Sequence, residues 1–451
     1  MGPNVMRTSV PRATRAGTND HNFARQRFAT GQSGATKELN HVTTEPLGSC
    51  ELNGTFAYTW DLVGDPAAAE RLASLGMGAV VLQAAYHSVR AMTPYHPAHR
   101  IVHATHAAAY FPLDPHHWRG ARLRPSAPDW AVDAPDRFGA AASALRSQGL
   151  RVEAWLVLTH STAVGARAPD LTVRNAFDER YGYALCPARP DVAAYALQLV
   201  RAFCARYDAA EVPSLMLEAC GWLGFEHGSR HEKTAGADLS TGCRDLLSIC
   251  LCAACRTGIE AAGADPAGVA RAVRRTVDAE MRDGVRAPSS FAESLGEQAA
   301  QALLRHRRSV IEELTLRIAD AAPGREILLM ADGDPQTTGP DSGLDLGDFD
   351  GRATAFVVKC WDDEARSVAR IEEAVRSGAR PVIANVSVLE EHPARLAGRV
   401  ARLRAAGARR IRYYHAGLAS PARLQALRAA NAQEEVITMT GTTARTAEGA
   451  A

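Results

Sequence analysis

Glu218 interrupts an otherwise apolar run, with Met216 and Leu217 before it and Cys220 and Trp222 after. A carboxylate in such a run loses its hydration, which raises its pKa toward that of a general acid unless a partner holds it ionised. Proton donation to a leaving oxygen is the chemistry that suits it. Asp332 and Asp362 close two later apolar runs and are the candidate second carboxylates. Lys359 lies in TAFVVKCW and is one of only three lysines in the chain. A desolvated amine there suits attack on a carbonyl, the chemistry of a lyase or aldolase, or an ion pair with Glu218 or Asp332.

Other polar and aromatic residues fall at comparable positions. Trp60, Trp222 and Trp361 end apolar runs, as do Asp61, His87 with nearby Arg90, and His160. Flat rings beside hydrogen-bonding groups suit a pyranose, whose apolar face stacks while its hydroxyls are bonded. The segment GFEHGSRHEKT follows Glu218 closely and adds His227, His231 and Glu232 as candidate ligand contacts. Cys243, Cys250, Cys252 and Cys255 follow, with CLCAAC the tight part, and thiolates so spaced are candidates for a structural zinc. The same stretch also reads as an amphipathic helix with small thiols turned inward. No other cofactor is expected. The acidic stretch DSGLDLGDFDG lacks the order of a calcium loop and reads as a solvated turn.

These residues need a frame. Eight β-rich apolar runs recur at 55–63, 79–88, 150–160, 214–222, 326–333, 354–361, 380–388 and 410–419, most of them separated by helical stretches such as PDVAAYALQLVRAFCARY. Strand then helix, repeated eight times, predicts a parallel (β/α)8 barrel of the TIM type over residues 51–430. Long insertions are expected after strands 2 and 4, at about 89–135 and 223–322. In such a barrel the loops after the strands build the functional face. Residues 1–50 and 431–451 are polar, without apolar periodicity, and read as flexible tails.

Composition narrows the function classes. The 451 residues carry 51 Lys+Arg against 50 Asp+Glu, a formal net charge of +1. That balance argues against a nucleic-acid footprint or a polybasic membrane anchor. Without an apolar run of membrane-spanning length or a secretion signal, a cytoplasmic location is expected.

The segments SLMLEACGWLGFEHGSRHEK, LLSICLCAACRTGI and AWLVLTHSTAVGARAPDLTVRNAFDERYGYALCPARPDVAAY resemble uncharacterised bacterial TIM-barrel proteins described as hypothetical glycoside hydrolases. The resemblance implies a hydrolase-like barrel acting on a small carbohydrate, with Glu218 as one of two catalytic carboxylates. Characterised barrel glycosidases commonly place the second carboxylate at the end of strand seven, where this chain has Asn385. Some pair strands four and six, which makes Asp362 the preferred partner and Asp332 the alternative. A barrel that binds carbohydrate without catalysis is the rival expectation.

Overall fold

The computed structural model describes residues 52–130, 134–226, 234, 237–378 and 380–432. Of the polar tails expected at 1–50 and 431–451, only Asn431 and Ala432 are described, and they continue a helix; the rest, with the candidates His227, His231 and Glu232, lies outside the described residues.

Each apolar run forms a strand, shorter than the run itself because the polar end turns out of the sheet. The strands are β1 (Gly54–Ala57), β2 (Ala79–Tyr86), β3 (Arg151–Val157), β4 (Ser214–Glu218), β5 (Glu326–Asp332), β6 (Ala355–Cys360), β7 (Val382–Ser387) and β8 (Arg410–Tyr414). Neighbours pair in parallel in sequence order, and β1 pairs with both β8 and β2, so the barrel closes. The eight-stranded (β/α)8 barrel is therefore present. Burial on both faces explains the near-continuous apolar character of its strands.

Helices of the outer layer are α1 (Ala68–Ala73), α2 (Arg137–Ser147), α3 (Pro190–Arg206), α4 (Thr241–Leu247), α5 (Ala253–Ala261), α6 (Pro266–Asp283), α7 (Glu297–Ala321), α8 (Glu364–Arg376) and α9 (Leu396–Ala405). Two departures from the simple repeat matter for the site. Residues 333–354, between β5 and β6, contain no helix. After β3, an antiparallel pair of strands, Thr172–Arg174 and Arg180–Leu185, precedes α3. The insertion after β2 carries a second such pair, Val89–Met92 with Ile101–Ala104. Helices α4 to α6 in the insertion after β4 pack around their own apolar cluster, which includes Leu246, Ile259, Val273 and Val277. Among the described residues no helix is long and apolar enough to cross a membrane.

Strand alternation turns every second side chain inward. On β3 this sends Arg151, Glu153 and Trp155 into the barrel, and on β8 Arg410, Arg412 and Tyr414. At the N-terminal end Glu326 accepts from Arg151 (2.5 Å), Arg410 (2.8 Å) and Ser214 Oγ (2.8 Å). One layer up, Glu153 and Arg412 form a bidentate pair at 2.6 and 2.9 Å, both sealed from solvent. Above them Trp155 packs on Phe56 with ring centroids 4.9 Å apart. The next layer is the C-terminal face.

Candidate active site

Glu218 is the last residue of β4 and only 5% exposed. Its Oε2 accepts a hydrogen bond of 2.7 Å from Trp155 Nε1. Burial pushes its carboxyl up to about 8; the Trp155 bond opposes the shift, the Asp341 charge adds to it and the Lys359 charge reduces it. The acid is therefore protonated at neutral pH. Ala219, the next residue, adopts a left-handed conformation with φ 57°, which costs a residue with a Cβ about 1 kcal/mol. Two hydrogen bonds hold it there: Ala219 N donates to Pro340 O (2.8 Å), and Thr159 Oγ1 donates to Ala219 O (2.8 Å).

The first of those bonds brings in Asp341. The helix-free connection after β5 folds back, and Ser342–Gly343 pairs alongside Ala331 and Asp332. Gly343 is required in that fold, since a Cβ there would lie 2.4 Å from Thr337 O. Asp341 is thereby buried beside Glu218, and its Oδ1 has no hydrogen-bond partner. Burial raises its carboxyl to about 6; Lys359 lowers it and Asp332 raises it. The stretch read from sequence as a solvated turn thus begins with a buried carboxylate, although Asp345, Asp348 and Asp350 are exposed.

A continuous arc of rings completes the face. Trp361 packs on Tyr414 (4.6 Å), and Tyr58 lies within 3.5 Å of the Tyr414 hydroxyl and 3.3 Å of the Tyr86 hydroxyl. Tyr86 stacks on His87 (4.1 Å), and His87 stacks on His160 (4.4 Å). Lys359 Nζ sits 5.1 Å from the Trp361 ring centre, and Trp361 Nε1 donates to Asn385 Oδ1 (3.3 Å). Burial raises all three tyrosines, so they remain neutral hydroxyls. The carboxyls lie at the base, while half-buried His87, His160, Lys359, Trp361 and Tyr414 form the upper surface.

The other sequence candidates sit elsewhere or differently. Asp362 pairs with Arg370 at 2.9 Å and is partly exposed, while the Asp341 charge acts on Glu218. Asp332 is one step removed, acting on Asp341. Trp60 and Trp222 are buried and present no open stacking face; Trp60 packs on Tyr58, and Arg307 lies over Trp222. Arg90 is exposed on the strand pair of the first insertion. Asp61 accepts from Tyr58 N (2.9 Å) and, with Arg71, Tyr95 and His96, lines a separate cavity of about 40 Å³. Asp341 and the Tyr58–Tyr86–Tyr414 trio are absent from the sequence-derived candidates. The strand-end tyrosines were legible by position, but nothing in the spacing marks Asp341.

The Trp155 bond stabilises the ionised form of Glu218. Trp155→Phe removes it and moves the Glu218 titration above about 8. Infrared titration of the protonated carboxyl band checks this, with Glu218→Gln to assign the band; an unchanged or lower titration point would contradict the geometry.

No family model matches this chain, and no curated protein matches it. Solved structures do match. An alpha-L-fucosidase isoenzyme 2 from Paenibacillus thiaminolyticus is 14% identical with a TM-score of 0.52, covering 85% of this chain and 49% of its own. A catalytic mutant of Gan42B, a GH42 beta-galactosidase from G. stearothermophilus, is 12% identical with a TM-score of 0.52, covering 85% and 56%. A beta-galactosidase from the psychrophilic Marinomonas ef1 is 11% identical with a TM-score of 0.51, covering 86% and 60%. This chain thus spans about half to three-fifths of their length. At these identities the likeness establishes a shared fold: this is a TIM-type barrel of the architecture found in those glycoside hydrolases.

Proposed function

We propose that the chain is a glycoside-hydrolase-like enzyme acting on a small carbohydrate, with Glu218 as proton donor and Asp341 as the second carboxylate. The observation that carries this reading is the pair itself. Two buried carboxyls share one face and one lysine, and their environments set them at about 8 and about 6. At neutral pH one is an acid and the other an anion, the division of labour that glycosidic cleavage needs. Lys359 favours ionised Asp341, while the tyrosine hydroxyls and the Trp361 ring suit the hydroxyls and apolar face of a sugar. Asp362 and Asp332 then act indirectly, through Arg370 and through Asp341. A role for His227, His231 and Glu232 in closing the site remains part of the proposal.

The test is turnover of a panel of aryl glycosides, beginning with β-galactosides and α-L-fucosides because similarly folded enzymes carry those names. The pH profile of kcat/KM should be bell-shaped. Activity falls as pH drops through about 6, where Asp341 takes up a proton, and as pH rises through about 8, where Glu218 loses one. Oligosaccharide binding without turnover of any panel member would favour the binding barrel. Borohydride trapping of a carbonyl substrate on Lys359 would favour a lyase or aldolase.

A further inference from the structure

Four buried thiols converge on one point among the connections that follow β3 and β4. Cys186 directly follows the strand Arg180–Leu185, after β3. Cys250 and Cys252 lie between α4 and α5, in the insertion after β4, and Cys255 lies in the first turn of α5. Cys186 Sγ is 3.5 Å from Cys255 Sγ, 3.7 Å from Cys252 Sγ and 3.8 Å from Cys250 Sγ. All four sulfurs lie within 4.8 Å of one another.

Those distances distinguish the possible chemistries. A disulfide needs sulfurs about 2.05 Å apart, and no pair measured here approaches that. Four thiolates about 2.3 Å from a tetrahedral zinc ion stand about 3.8 Å from each other, the edge of that tetrahedron. The three spacings from Cys186 lie about that edge. Local structure also favours anionic sulfur. Cys252 is the N-cap residue of α5, where the helix dipole favours negative charge. Arg307 is buried nearby. It offsets part of the net negative charge of a zinc tetrathiolate.

We propose that Cys186, Cys250, Cys252 and Cys255 bind one structural Zn²⁺ that fastens the strand pair after β3 to the insertion after β4. The ligand set differs from the one suggested by sequence spacing. Cys243 lies on α4 within the separate apolar cluster of the insertion, and Cys186 supplies the fourth sulfur from 64 residues before Cys250. All four positions are occupied by protein sulfur, which leaves no site for water and marks a structural rather than a catalytic ion. The proposal is independent of the carbohydrate reading.

The test uses the whole chain, produced in zinc-supplemented medium and freed of loosely held metal by chelator washing and gel filtration. Metal analysis should give about one zinc per chain. Titration of the native protein with an organomercurial should release that zinc as the four cluster thiols are modified. Cobalt substitution should give the intense visible bands of a tetrahedral tetrathiolate. Cys186→Ser should reduce bound zinc at least tenfold, whereas Cys243→Ser should retain about one per chain. If Cys186→Ser fails to fold, mercurial release and the cobalt spectrum of the parent still decide. Substoichiometric zinc, iron in its place, or a cluster disulfide found by mass spectrometry would overturn the proposal.

Discussion

Glu218→Gln should lower turnover of glycosides with poor leaving groups by about 10²–10⁴-fold, the usual contribution of a positioned acid, while leaving sugar affinity within a few-fold of the parent. The amide keeps the shape of the side chain and can still accept from Trp155 Nε1, so the pocket is preserved. It has no proton to give, and the loss should therefore track the leaving group. Activated aryl glycosides, whose departing oxygen needs little protonation, should lose least. Asp341→Asn should impair good and poor leaving groups alike. Linkage supplies a second readout. Glu218 has a folded-state value of about 8, above its ordinary 4.5, so the folded parent holds a proton that the unfolded chain releases between those values. The parent loses stability as pH rises through that window. Glu218→Gln has no such loss, and its stability relative to the parent should rise between about pH 5 and 8. Undiminished turnover across the leaving-group series would remove Glu218 from the chemistry.

The second large effect concerns the barrel interior. Arg412→Met leaves Glu153 without its bidentate partner in a site that solvent does not reach. Removing one member of such a pair typically costs about 3–5 kcal/mol, because the remaining charge is buried uncompensated. The denaturant midpoint should fall accordingly and recover in large part in Glu153→Met/Arg412→Met, which removes both charges. A loss below about 1 kcal/mol for Arg412→Met would mean that water or another group reaches Glu153. Arg412 also donates to Leu52 O at 2.7 Å, so the double variant should fall slightly short of the parent.

The frame of this molecule was legible in its sequence because parallel strands buried on both faces leave continuous apolar runs. All eight runs contain strands, and the polar residues at their ends include Glu218, His87, His160 and Lys359. What escaped has a common cause: it depends on how loops return to the barrel. Asp341 sits in a Gly- and Asp-rich connection whose composition signals solvent, yet its pairing beside β5 buries the first carboxylate of that stretch. Cys186 is far in sequence from the compact CLCAAC stretch, and only the strand pair after β3 carries it there. Trp60 and Trp222 show the opposite error. Their position at strand ends suggested open stacking faces, but both are buried, Trp60 against Tyr110 and Trp130 and Trp222 against Arg307.

The long helix α7 belongs to two cores at once. Its early residues Ala300 and Leu303 pack with the insertion's own apolar cluster, whereas Ile311, Leu314 and Ile318 pack with the barrel. Regions with separate apolar cores can open with different free energies, and amide protection follows those local openings rather than helix geometry. One unbroken helix should therefore contain a step in its hydrogen-exchange rates near Arg307, slow on the barrel side and faster on the other. The helix works as a splint between a rigid vessel and a softer wall. Loosening that wall need not unfold the vessel beneath it.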